Sequence, residues 1–153
     1  MNGNVVQCFN ECYADQNQFA RSVEALGEYI AKNAKYPGDM MSLTKELRAP
    51  TVKEPPEMLD TEESNLKQTV WQKQVANYIL RLEHVEQNLQ AIFAVIWGQC
   101  SDSMRAKLKS LPDYTSKDKA SDCVWLLKAI KGIMLRFEGQ RYVFLSHSDA
   151  LQS

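Results

Sequence analysis

Apolar side chains recur along most of the chain at alternating steps of four and three, the spacing that places them on one face of an α-helix. The first row is Val5, Phe9, Cys12, Phe19, Val23, Leu26 and Ile30, interrupted only where Gln16 stands. The polar tract Asp15-Gln16-Asn17-Gln18 offers a cap inside that row, so one long helix and two consecutive helices satisfy it equally. Tyr36-Pro37-Gly38-Asp39 then closes the pattern with turn chemistry, because proline disfavours a helical residue before it and glycine tolerates positive φ. A short amphipathic piece from Met40 to Leu47 leads into RAPTVKEPPEMLDTEE. There Pro50, Pro55 and Pro56 lack amide donors and fix φ, so residues 49–63 read as an extended linker.

The longest row follows: Trp71, Val75, Tyr78, Leu82, Val85, Leu89, Ile92 and Ile96. It predicts one helix over about 64–97, with Ser64 as N-cap and Gly98 ending it through the C-terminal preference of glycine. Ser101 or Ser103 caps the next helix, which contains Met104, Leu108 and Leu111 and stops at Pro112. DYTSKDKA reads as a loop, and Ser121-Asp122 opens a helix bearing Leu126, Leu127, Ile130, Ile133, Met134 and Phe137 up to Gly139. In the tail, Tyr142-Val143-Phe144-Leu145 is too short to classify, and Ser146 or Ser148 starts what reads as a further helix, as if the chain were C-terminally truncated. The expected fold is all-α: a helix bundle with an N-terminal helical segment (1–48), the linker (49–63) and a helical core (64–153). The two rows fit a bundle core or a coiled-coil seam, and packing within one bundle is the commoner outcome.

Charge narrows the functional classes. Eighteen basic and nineteen acidic side chains leave a net charge of -1, which makes no general claim on DNA, RNA or anionic lipid. No segment reaches the roughly 18 consecutive apolar residues of a membrane span. The start, MNGNVVQCFNECYADQ, lacks a basic region and an apolar signal core, so a cytoplasmic protein is expected. Cys8, Cys12, Cys100 and Cys123 are too few and scattered for a secreted disulfide framework. Cys8 and Cys12, with His84, Cys100, Cys123 and His147, would form a zinc site only if the fold gathered them. Cys100, just before a predicted helix N-terminus, would be a nucleophile only with a histidine beside it and a third group to orient that base. There is no Gly-rich phosphate loop and no HExxH pair. No enzyme activity, cofactor or metal is therefore expected. Arg105, Lys107 and Lys109, with Lys117 and Lys119 beyond, form a basic collar without interleaved aromatics, and Arg105, Lys107 and Lys109 are the candidate RNA contacts. Trp71, Trp97 and Trp125 lie at apolar helical faces, where either core packing or a protein-protein hot spot suits them.

Three segments carry a family resemblance: Trp97-Gly98-Gln99-Cys100-Ser101-Asp102-Ser103-Met104-Arg105, Leu126-Leu127-Lys128-Ala129-Ile130-Lys131 and Tyr36-Pro37-Gly38-Asp39. With the proline-containing connection and WQKQVANYILRLEHVEQNLQAIFAVIWGQC, the chain from about Phe19 to Ala150 resembles the Gag-like N-terminal region of copia-type LTR retrotransposon polyproteins, most closely those of diatoms and other microalgae. The resemblance implies a mainly helical structural protein that self-associates into a particle shell and packages element RNA. Trp71, Trp97, Gly98, Gln99, Cys100, Ser101, Met104, Leu126, Leu127 and Ile130 are the motif positions it marks. The CxxCxxxxHxxxxC zinc knuckle of such proteins is not among these 153 residues, so RNA packaging is implied only for a full polyprotein. A host helical adaptor is the alternative expectation, and a cysteine-dependent enzyme using Cys100 a further one.

Overall fold

The structure, a computed structural model, describes Phe9, residues 16–57 and residues 64–136. It is all-α: α1 (Gln16–Asn33), a 3-10 turn (Pro37–Met40), α2 (Met41–Lys45), α3 (Asn65–Gly98), α4 (Asp102–Lys109), α5 (Tyr114–Ala120) and α6 over 123–136. Among the described residues the β-type pairing is a single isolated parallel bridge, Phe9 to Cys100. No helix in this set is long and apolar enough to cross a membrane.

Phe19, Val23, Leu26 and Ile30 form the buried face of α1 as the spacing predicts, but α1 begins at Gln16 and Phe9 lies outside it. Phe9 is extended and buried, its N–H donating to Gln99 O at 3.2 Å and its carbonyl accepting from Ser101 N at 3.0 Å. The one-helix reading of the Val5–Ile30 row is corrected at this residue, as is the first helix of the two-helix reading, whereas its second helix stands, beginning at Gln16 inside the polar tract. Backbone pairing with a distant segment overrides the local period. Cys8 and Cys12 lie outside the described residues.

After α1 the chain reverses at Tyr36, whose φ of 54° is left-handed, while no glycine has positive φ among those described. The expectation that Gly38 supplies the unusual backbone is thus corrected. Tyr36 is held there by packing: its ring lies 5.5 Å from His84 and 5.2 Å from the Arg81 guanidinium, both on α3. Arg81 forks onto both carboxylate oxygens of Asp39 in the same turn, a bidentate charge-assisted pair. That hydrogen bond, ahead of simple attraction between the charges, raises the Arg81 pKa above its usual value. The turn lets α2 fold back on α1, and Gly27 permits the approach, since a Cβ there would sit 3.3 Å from Thr44 Oγ1.

α3 has 34 residues and so spans about 51 Å. Ser64 caps it by accepting from Lys67 N at 3.4 Å, and residues 49–57 of the linker are free of helix as expected. The Nε1–H of Trp71 donates to Pro56 O at 2.8 Å, drawing the linker alongside the helix. The helix ends at Gly98, but with Gln99 in right-handed conformation at φ -89° and not through a left-handed glycine. The N-cap Ser101 then accepts from Met104 N at 3.1 Å and starts α4, which settles the choice between Ser101 and Ser103.

DYTSKDKA is helical in its larger part, as α5, which corrects the loop expectation. Its polar sequence has no apolar row, and Tyr114 supplies its attachment by stacking on Trp97 at 5.6 Å and meeting Trp125 at 6.5 Å. Asp122 caps α6, its carboxylate accepting from Trp125 N at 3.0 Å. The extension to Phe137 and Gly139, and the tail with its apolar run and candidate further helix, lie outside the described residues.

One buried cluster joins these parts: Met40 and Leu43 from the turn and α2, Val85, Ile92, Phe93 and Ile96 from α3, Met104 and Leu108 from α4, and Leu126, Leu127, Ile130 and Met134 from α6. Each large side chain fully removed from water there stabilises by about 1.5–3 kcal/mol. The α3 row is buried only in its second half, however. Leu82 is 41% exposed, and Trp71, Val75 and Tyr78 are half-buried.

Candidate interaction surface

The motif segment from Trp97 to Arg105 is a joint between two helices, locked from three directions. Phe9 pairs with the backbone of Gln99 and Ser101, and Ser101 caps α4. Arg105 reaches back from α4, donating from Nε to Trp97 O at 3.1 Å and from Nη2 to Gly98 O at 3.2 Å. Its positive charge thereby meets carbonyls of the last turn at the C-terminus of α3, where a cation is favoured. Cys100 is completely buried and its Sγ–H donates to Ile96 O at 3.3 Å. Gln99 Oε1 is buried with no hydrogen-bond partner. A buried acceptor of this kind costs about 1–3 kcal/mol.

The other motif positions are packing residues. Met104, Leu126, Leu127 and Ile130 are completely buried. Trp97 is half-buried against Tyr114, and Lys109 Nζ lies 5.9 Å from its ring. Of the candidate RNA contacts, Arg105 is engaged with the two carbonyls and lies 3.6 Å from Asp102, Lys107 is half-buried and Lys109 is exposed. The three share the eight-residue α4, but their roles diverge.

The chemistry around Cys100 and Cys123 is that of buried thiols. Cys123 donates to Leu89 O at 3.1 Å, and burial, with Asp122 adding to it, pushes its pKa up to about 12. Among the described residues no three His, Cys, Asp or Glu side chains are placed to hold a metal, and His147 lies outside them.

Exposed apolar side chains gather elsewhere, on the first half of α3. Leu66 is 74% exposed and Ile79 51%, and Val70, Leu80 and Leu82 are exposed as well. Leu82 lies on the Trp71–Val75–Tyr78 face and Ile79 flanks it. Leu66, Val70, Lys73, Asn77 and Leu80 make a second four-three row on the opposite face of the same helix. A helix that carries apolar groups all round is ordinarily covered on several sides. This second row was legible in the spacing, but the stronger row ending at Ile96 obscured it.

A second feature lies between α1 and the turn leading into α2: an apolar groove of about 750 Å³ with Phe19, Val23 and Met40 in its lining. Glu24 and Glu28 also line it, one helical turn apart on α1, and Lys45 and Lys131 stand elsewhere on its rim. No single stretch of sequence announces this groove, because the reversal at Tyr36 creates it. Comparison of the chain with protein-family models, curated proteins and solved structures found no match.

Proposed function

We propose that this chain is a structural, non-enzymatic protein that works by associating with copies of itself, in the manner of the Gag or capsid region of a copia-type retrotransposon. The observation that carries the reading is the set of five large apolar side chains exposed on the first half of α3, from Leu66 to Leu82. They stand on two faces of the helix, and a helix that carries apolar groups on both is ordinarily covered, so burying either face at a subunit boundary supplies driving force for assembly. The engaged Arg105 at the α3–α4 joint favours a structural role for the motif segment over direct RNA contact. Packaging of element RNA belongs to this reading only within a full polyprotein, and its setting is the cytoplasm.

Light scattering over a wide concentration range tests the proposal. Mass should rise with concentration, and it should stop rising when Ile79 and Leu80 are both replaced by glutamine. A wild-type protein that stays monomeric at high concentration would contradict self-association. It would instead favour an adaptor that offers the same side chains to a different protein.

A further inference from the structure

The exposed row on α3 and the groove on α1 are complementary, and we infer that they bind each other between copies: the first half of α3 in one molecule docks into the α1/α2 groove of the next. This inference rests on the self-association proposed above and names its interface. Three observations point to this occupant. The lengths agree, since residues 66–80 of α3 span about 22 Å and the part of α1 that lines the groove, Phe19 to Ala31, about 20 Å. The surfaces agree in polarity, for the groove lining is mainly apolar and the arm presents Leu66, Val70 and Leu80 at helical spacing.

The charges agree as well. Glu24 and Glu28 are exposed at i and i+4 on α1, a repulsive arrangement within one helix, and neither carboxylate has an ion-pair partner among the described residues. Lys73 stands exposed in the middle of the arm's apolar row, where it would meet those carboxylates as Leu66 and Val70 enter the groove. Lys45 and Lys131 on the rest of the rim would repel Lys73, so the groove accepts the arm in a preferred orientation. Met41, exposed at the groove and large, is covered in the same step.

The interface is heterologous, arm into groove, so each molecule keeps an unused arm at one end and an unused groove at the other. Repetition of one such contact builds rings or open chains, and closes into a two-fold dimer only if both contacts form at once.

Two variants of the full chain separate this interface from any other. The arm variant carries Leu66→Glu and Val70→Glu, and the groove variant carries Ala20→Arg and Ala31→Arg, positions that are exposed and tolerant of a good helix former. Sedimentation velocity should find each variant alone monomeric, with helicity and melting temperature as in the wild type. An equimolar mixture should give a heterodimer that grows no further, because the intact arm of one fits the intact groove of the other. Glu24→Lys with Glu28→Lys should weaken wild-type assembly by about tenfold or more, and Lys73→Glu added to that pair should restore it.

If the groove variant assembles like the wild type, the arm meets something other than the groove and the inference fails, while self-association stands. A mixture of the two variants that stays monomeric also overturns it. A wild-type protein that never associates removes both the inference and the proposal beneath it.

Discussion

In the second half of α3, Val85, Ile92, Phe93 and Ile96 are buried, whereas in the first half Val70, Ile79, Leu80 and Leu82 are exposed. The two halves share one helix and similar residue types, and Leu82 continues the row that ends at Ile96, while Val70 and Leu80 stand on the opposite face and Ile79 beside the row. They differ in what surrounds them. Around the second half, Phe9, α1, α4 and α6 close a common core. Beside the first half, the described neighbours are the turn at Tyr36–Asp39, held by Arg81, and the linker, held through Trp71 and Pro56. A helical period states which side chains share a face, and the chain's other segments decide whether anything covers it. The same chemistry therefore stabilises the fold in one half and offers a surface in the other.

Truncations along α3 should expose this difference. Ile96→Ala, at a completely buried position, should cost about 2–5 kcal/mol in urea unfolding. Leu80→Ala, at an exposed position of the arm, should stay within about 0.5 kcal/mol of the wild type while reducing association. Equal losses of stability at the two sites would erase the distinction. Phe9→Ala should destabilise by about 3–5 kcal/mol, because the ring sits in the core beside the joint and meets Phe19 at 6.3 Å. An unchanged denaturation midpoint would mean that Phe9 does not close the joint in solution.

Ser101→Ala should cost about 0.5–2 kcal/mol through loss of the cap on α4, measured in the same unfolding experiment. A further effect appears only at alkaline pH. The Cys123 thiol has a folded pKa of about 12, raised from 9.0, so its neutral form is favoured in the native state. The unfolded chain gives up this proton first as pH rises. The contribution to stability is complete below pH 9 and is lost on the way to pH 12. Comparing the alkaline slope of wild type with that of Cys123→Ala isolates the term, since other groups titrate alike in both. Identical slopes would place Cys123 in contact with water.

The all-α fold and the bounds of α3 were readable because Ser64, the four-three row and Gly98 agree on one element. Ser101 was readable as one of two caps, and the structure chose it by the hydrogen bond to Met104. Phe9 misled because its spacing fits a helix while its backbone pairs with a segment some ninety residues away, a relation no local period contains. α5 was missed because its helix is polar and depends on one tyrosine inserted between two tryptophans. Gly98-Gln99-Cys100 was legible as a joint, but Arg105 as its clamp was not, since a basic residue in α4 gives no sign of which carbonyls it will reach. The groove was beyond sequence reasoning for a similar reason: it exists only once Tyr36 turns left-handed and α2 lies against Gly27.

Hydrogen exchange measured at several protein concentrations tests the division of α3 most directly. Amides over 85–98 should exchange slowly at every concentration, because the core protects them within a single molecule. Amides over 66–80 should exchange faster in dilute solution and become protected as concentration rises and the arm is covered by another copy. Equal protection of both halves at all concentrations would contradict the account, and so would a first half whose exchange never responds to concentration.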